Sequence, residues 1–227
     1  MDTKPPATAQ PGEDDRFIDT LIGDLQPIRR LKPGQGLALA LLVAVACGVA
    51  ISAWLGIRGD LANGAPHAMF VLRSAVLLAL GIGAATAVLA AASPGIGVRR
   101  PGWWRWALGV AMLFPAGALL TWLVTIDTAA QAISILDPRY GLECLRMSAL
   151  CALAVGGAMV LWLRRGAAVD PVSAGWLVGL AAGSLGAAAY SVACSENVVL
   201  YIGTWYTIAL AGCTIAGRLI VPALLRW

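Results

Sequence analysis

The sequence predicts an all-α fold: a six-helix transmembrane bundle preceded by a short cytoplasmic amphipathic helix. Three observations predict it. Of 227 residues, 59% are hydrophobic and only 12% charged, against about 25% charged in ordinary soluble domains. The apolar residues fall into long runs rich in Ala, Leu and Gly that are apolar on every face, unlike the alternating strands of about ten residues in a β-barrel. The remaining charges gather in residues 1–36 and in short segments between the runs. So little charge cannot cover a water-soluble globule of this size, and the mean hydropathy of +0.80 agrees. Soluble globular classes are excluded.

In chain order, residues 1–36 come first and form a polar segment distinct from residues 37–227. Residues 1–13, MDTKPPATAQPGE, are Pro-rich and polar and are expected to be disordered. From about 14 to 26 the pattern changes. Phe17, Ile18, Leu21, Ile22 and Leu25 recur at helical spacing as one apolar stripe. Asp14 and Asp15 suit the positive end of a helix N-terminus, Pro27 ends the helix, and Arg29, Arg30 and Lys32 then meet an anionic leaflet. A helix of about a dozen residues is marginal alone in water, so its apolar face needs a partner. Its own bundle, the membrane surface and a groove in a soluble protein all remain open. The polar face is Asp-rich, where surface-lying helices usually carry Lys and Arg, and this favours a partner with a basic surface.

A span needs roughly 20 largely apolar residues, and six stretches qualify: Leu37–Ile57, Met69–Ala92, Trp106–Ile126, Leu145–Leu163, Val172–Cys194 and Val198–Val221. The first 36 residues have no apolar core of a signal peptide, so the first run reads as an uncleaved span. With a cytoplasmic N-terminus the inner side collects Arg29, Arg30, Lys32, Arg99, Arg100, Arg105, Arg164, Arg165 and Arg226. The outer side keeps only Arg58 and Arg139. Short-loop cations favour the inside, so both termini are expected there, with Trp103, Trp104, Trp106, Trp162 and Trp227 as an inner aromatic belt. Arg73, Arg146 and Arg218 lie near span ends and read as snorkelling toward headgroups. Pro115 and Pro222 suggest kinks in spans three and six.

Gly179 and Gly183, with Gly186 one turn on, and the Ala152–Gly156 pair are small-residue seams at which helices approach closely. They suit packing within one bundle or a homodimer face. Of five cysteines, Cys47, Cys151 and Cys213 lie inside spans and read as small packing residues. Cys144 and Cys194 fall at the outer ends of spans four and five, each near a carboxylate, Glu143 and Glu196. Packing, a disulfide and soft-metal binding as thiolates all fit such a pair. The lone His67 reads as an ordinary loop residue. No C-x-x-C, cofactor motif or catalytic constellation is present, so no enzyme and no cofactor are expected. No carboxylate lies mid-span, which weakens a second reading as a small transporter or channel.

The blocks DRFIDTLIGDLQPIRRLKPG, GLECL around Cys144, RRGAAVDPVSAGWLVGLAAGSLGAAAYSVACSENVVLYIGTWY and AGRLIVPALLRW resemble, in order and spacing, the negative-regulator-of-sigma-F (NrsF) family of membrane-bound anti-sigma factors. The resemblance implies a six-helix protein of the bacterial inner membrane whose cytoplasmic N-terminus holds an extracytoplasmic-function sigma factor, with no direct nucleic-acid contact. It also implies that the outward cysteine pair, here Cys144 and Cys194, senses metal or oxidative stress. In the N-terminal segment it points to the apolar stripe and to Arg29–Arg30 as partner-binding residues.

Overall fold

A computed structural model describes residues 33–91, 106, 109–125, 138–166 and 170–225. All belong to one compact unit that begins at Leu31. The expected disordered stretch 1–13, the helix of about 14–26 and the Arg29–Arg30 pair lie outside the described residues.

The described residues are helical, without strands. The helices are α1 Pro33–Leu55, a single-turn α2 Gly59–Ala62, α3 Ala68–Ala91, α4 Leu113–Thr125, α5 Pro138–Leu163, α6 Pro171–Ser191 and α7 Val199–Leu225. Five of them, α1, α3, α5, α6 and α7, are long and apolar enough to cross a membrane. Large apolar side chains face outward along them, among them Leu42, Leu153, Leu161 and Leu219. Such an exterior suits hydrocarbon and not water.

The expected third span is the exception. The helix described there, α4, has 13 residues, about 20 Å at 1.5 Å per residue, and the described residues end at Thr125, so they cover only part of a hydrocarbon core of about 30 Å. The turn at Met112 separates it from a helical stretch at 109–111. Pro115 explains the break: it has no N–H for the carbonyl four residues earlier, and its ring clashes with that carbonyl. Pro222, by contrast, sits inside α7 without ending it.

α6 is the centre of the bundle and packs against α1, α3, α5 and α7, while α4 packs on α7. One buried cluster joins the start of α1, the ends of α3 and α5, the start of α6 and the end of α7, around Ala40, Leu89, Leu163, Ala174 and Val221. A second joins the opposite ends, around Ile51, Leu77, Cys144, Tyr190 and Ile202. α1 and α6 therefore run in one direction and α3, α5 and α7 in the other. The α6 N-terminus is closed by Asp170, whose carboxylate accepts from the N–H groups of Val172 at 3.0 Å and Ser173 at 3.1 Å, with Pro171 following. This satisfies helix-end donors that have no partner within the helix.

The small-residue seams are spent inside the chain. A Cβ on Gly179 would lie 2.4 Å from the Cys213 carbonyl oxygen, and one on Gly217 would lie 2.6 Å from both the Gly175 oxygen and the Gly179 Cα. α6 and α7 thus touch backbone to backbone. Gly186 of α6 meets the backbone of Ala152 and Ser148 of α5 in the same way, while Gly156 meets the Ala182 side chain. Without a hydrophobic effect between helices in lipid, such close approach is what van der Waals packing needs. Of the two uses open to these seams, the structure shows packing within one bundle.

Candidate functional site

The end of the bundle formed by residues 56–67 and 192–197 carries the polar chemistry. α1 stops at Leu55, and Gly56, with a φ of +89°, turns the chain into the connection that holds Arg58 and α2. α6 stops at Ser191, and the turn after it carries Cys194 and Glu196. Helix ends leave carbonyls without partners, and here those carbonyls meet two arginines.

Arg73, in the second turn of α3, is only 2% exposed. Its Nη1 donates to the Glu196 carbonyl at 2.6 Å, and its Nη2 donates to the carbonyls of Cys194 at 2.7 Å and Ser191 at 3.1 Å. Its guanidinium lies over the rings of Phe70 and Tyr206, at 5.7 and 5.8 Å. The expectation that Arg73 snorkels toward headgroups is therefore incorrect. The Ser191 carbonyl at the end of α6, the carbonyls of the turn that follows and the negative end of the helix dipole hold the cation inside. Arg146, in contrast, is exposed and reaches Glu143 at 3.4 Å, and Arg218 is half-buried.

Arg58, expected as a plain outer-loop cation, is 4% exposed. It binds Asp60 through two hydrogen bonds of 2.8 Å, donates to the Asn197 side chain at 3.0 Å and also to the Cys194 carbonyl. Its guanidinium lies 5.0 Å from the Phe70 ring. The Asp60 carboxyl is held well below the usual carboxylate range, chiefly by the Arg58 side-chain bond and then by the His67 backbone N–H. Two guanidiniums from separate segments thus share one carbonyl, that of Cys194.

The same end brings the two sequence-selected cysteines together. Cys144 of α5 and Cys194 are buried in one cluster and lie within electrostatic reach of each other. Both are free thiols. The Cys194 sulfur is 3.9 Å from Arg73 Nη1. Tyr206 is stacked on Phe114 beneath them, and its hydroxyl is buried without a partner, as is Arg73 Nε. Thiols buried in one cluster, one of them beside a buried cation, are groups whose chemistry includes disulfide formation and soft-metal binding through sulfur. Glu143 and Glu196 do not complete a metal shell with them; among the described residues no group of three or more His, Cys, Asp or Glu side chains lies together. His67 is exposed, and its Nδ1 accepts from the Met69 backbone, as an ordinary loop residue does. Sequence reasoning missed Arg58, Arg73, Asp60 and Tyr206 as members of this site. The available signal was Arg73 itself, a cation six residues inside an apolar helix.

A family model described as negative regulator of sigma F matches residues 21–227. The chain belongs to that family, NrsF. The match begins at Leu21 and so includes Leu21, Ile22, Leu25, Arg29 and Arg30, with Phe17 and Ile18 just before it. It also runs through both cysteines and both buried arginines. No curated protein and no solved structure matches the chain. NrsF membership marks the chain as a regulatory protein of the kind that acts on a sigma factor, and not as a member of an enzyme class.

Proposed function

We propose that this NrsF-family protein is a membrane-bound anti-sigma factor that holds an extracytoplasmic-function sigma factor at the bacterial inner membrane and releases it under metal or oxidative stress in the envelope. The family match over residues 21–227 carries this reading. The chain crosses the membrane six times with both termini in the cytoplasm, the segment from Trp106 to Ile126 supplying the crossing beyond the five long helices. Residues 14–26 form the sigma-binding helix. Phe17, Ile18, Leu21, Ile22 and Leu25 enter a groove on the sigma factor, Asp19 and Asp24 face its basic surface, and Arg29 and Arg30 stand at the membrane face. Burial of such side chains at about 1.5–3 kcal/mol each, less ordering costs, supports micromolar or tighter binding.

Cys144 and Cys194 receive the signal at the outward end. A change at the Cys194 sulfur bears on the residue whose carbonyl Arg58 and Arg73 share, and Cys144 of α5 lies in the same cluster, which supports a coupled shift of α3, α5 and α6. The signal acts by binding or modifying the capturing and releasing states differently. Co-purification of the full chain with the cognate sigma factor tests the capture step: Leu21→Asp with Leu25→Asp abolishes it, and unchanged capture refutes the stripe. For the sensor, Cys144→Ser with Cys194→Ser alters the transcriptional response to thiol-reactive metals and oxidants; an unaltered response returns the pair to packing.

A further inference from the structure

Residues 56–67 join α1 to α3 at the Cys194 end of the bundle, with α2 as their single turn of helix. Apart from Arg58 none of them is buried, and none belongs to either apolar cluster. Among the described residues, every hydrogen bond from this segment to the turn after α6 starts at Arg58. Its backbone N–H donates to the Val192 carbonyl at 3.4 Å, its Nη2 to the Asn197 side chain at 3.0 Å and its Nη1 to the Cys194 carbonyl. Asp60 grips the same guanidinium from within the segment and accepts from the Leu61 and His67 backbone. Gly56 and Gly64, on either side of α2, hold φ of +89° and +70° in open space, a region that glycine enters and leaves without steric cost.

We propose that residues 56–67 are a hinged strap, latched by Arg58, that governs the access of water-borne thiol reagents to Cys194. A segment with no side chain in the apolar clusters and its hydrogen bonds gathered on one residue opens locally, without unfolding of the whole. Opening also separates no charges, because Arg58 and Asp60 both belong to the strap and move as one ion pair. Cys194 is buried, its carbonyl accepts from Arg58 and Arg73, and its sulfur lies 3.9 Å from Arg73 Nη1. As the strap swings out on Gly56 and Gly64, Arg58 leaves with it and Arg73 alone keeps the carbonyl. The Cys194 sulfur then meets water. This deepens the reading of Cys194 as a receiver of the signal, on which its biological use rests: the strap sets how fast a reagent from outside reaches that sulfur.

The test uses the full chain in lipid nanodiscs, where both faces meet water. Iodoacetamide is the probe: each reaction forms an S–C bond and releases iodide and the thiol proton. Peptide mass spectrometry reads the rate at each cysteine. Arg58→Gln is expected to speed labelling of Cys194 about 30-fold, and Asn197→Ala, which removes one bond of the latch, about fivefold. Loss of a neighbouring cation by itself slows thiol alkylation, so a faster reaction reads access. Cys151, inside α5, is expected to keep its rate in both variants. A Cys194 rate within about twofold of the wild-type chain in both variants overturns the proposal. So does an equal rise at Cys151, which reports a loosened bundle and not an opened strap. No sigma factor and no transcriptional response take part, so this outcome is separate from the failure of the capture or sensor reading above.

Discussion

Two regions hold the helices together by opposite means. Along the α6–α7 seam the side chains are removed: Gly175, Gly179 and Gly217 let backbone lie on backbone. At the Cys194 end long side chains do the holding: Arg58 and Arg73 reach from outside α6 to carbonyls at its C-terminal end and in the turn after it. The seam depends on shape alone and tolerates no added atom. The clamp depends on charge and hydrogen bonds and tolerates loss of one member better than the seam tolerates one methyl group. A bundle in lipid needs both, since close packing joins helices along their length and leaves their ends unsatisfied.

The strongest way to break this contrast is to crowd the seam. Gly217→Val places its Cβ within 2.6–2.8 Å of three backbone atoms on α6, and backbone cannot rotate away as a side chain tip does. We expect a loss of about 3 kcal/mol or more, read as a fall in the folded fraction during denaturation from mixed micelles. A change below about 1 kcal/mol would mean that the helices part without cost and that the seam is not the close contact described.

Next in size is the clamp. Arg73→Met keeps the apolar stem and removes the Arg73 donors from the Ser191 and Glu196 carbonyls, leaving the Cys194 carbonyl to Arg58, so a loss of about 2 kcal/mol is expected. Arg58→Met should cost less, because the abandoned Asp60 is partly exposed and rehydrates. Equal effects of the two substitutions would refute the distinction between a cation held only by carbonyls and one paired to a carboxylate. Smaller again is Asp170→Ala at the opposite end of α6, where two N–H groups lose their acceptor. About 1 kcal/mol is expected there, measured in the same denaturation assay.

The seam was legible in the sequence and the clamp was not, for a physical reason. Glycines four residues apart on a run such as GWLVGLAAGS declare a close-approach face through local spacing alone. Spans were legible for the same reason, to within a few residues at α1, α3 and α6; α5 starts seven residues earlier than expected because Pro138 opens it and Arg139 to Arg146 continue it. At the expected third span the described helix α4 covers residues 113–125, and Pro115 had marked the place of the break before it. The clamp joins residues 58, 73 and 194, and no periodicity links such distant positions. Arg73 looked like a snorkelling cation because its distance from the helix end was visible while the returning turn at 191–197 was not. Cys144 and Cys194 were selected by shared depth, which helix topology fixes.

The smallest effect separates the two arginines by pH. Asp60 is held well below the usual carboxylate range by Arg58, so it binds fewer protons in the folded protein than in the unfolded chain. Its contribution is therefore fully present above the unfolded value of about 3.9. It fades only as pH falls below that value toward the lower folded one. The difference in thermal midpoint between the wild-type chain and Asp60→Asn should stay constant from neutral pH down to about 4 and shrink only under stronger acid. Arg73, whose acceptors are carbonyls that do not titrate, should show a wild-type-to-Arg73→Met gap that does not move over the same interval. If the Asp60→Asn gap already closes near pH 5, the folded carboxyl is not held below the usual carboxylate range, and the Arg58 arm of the clamp is not the paired arm that separates it from Arg73.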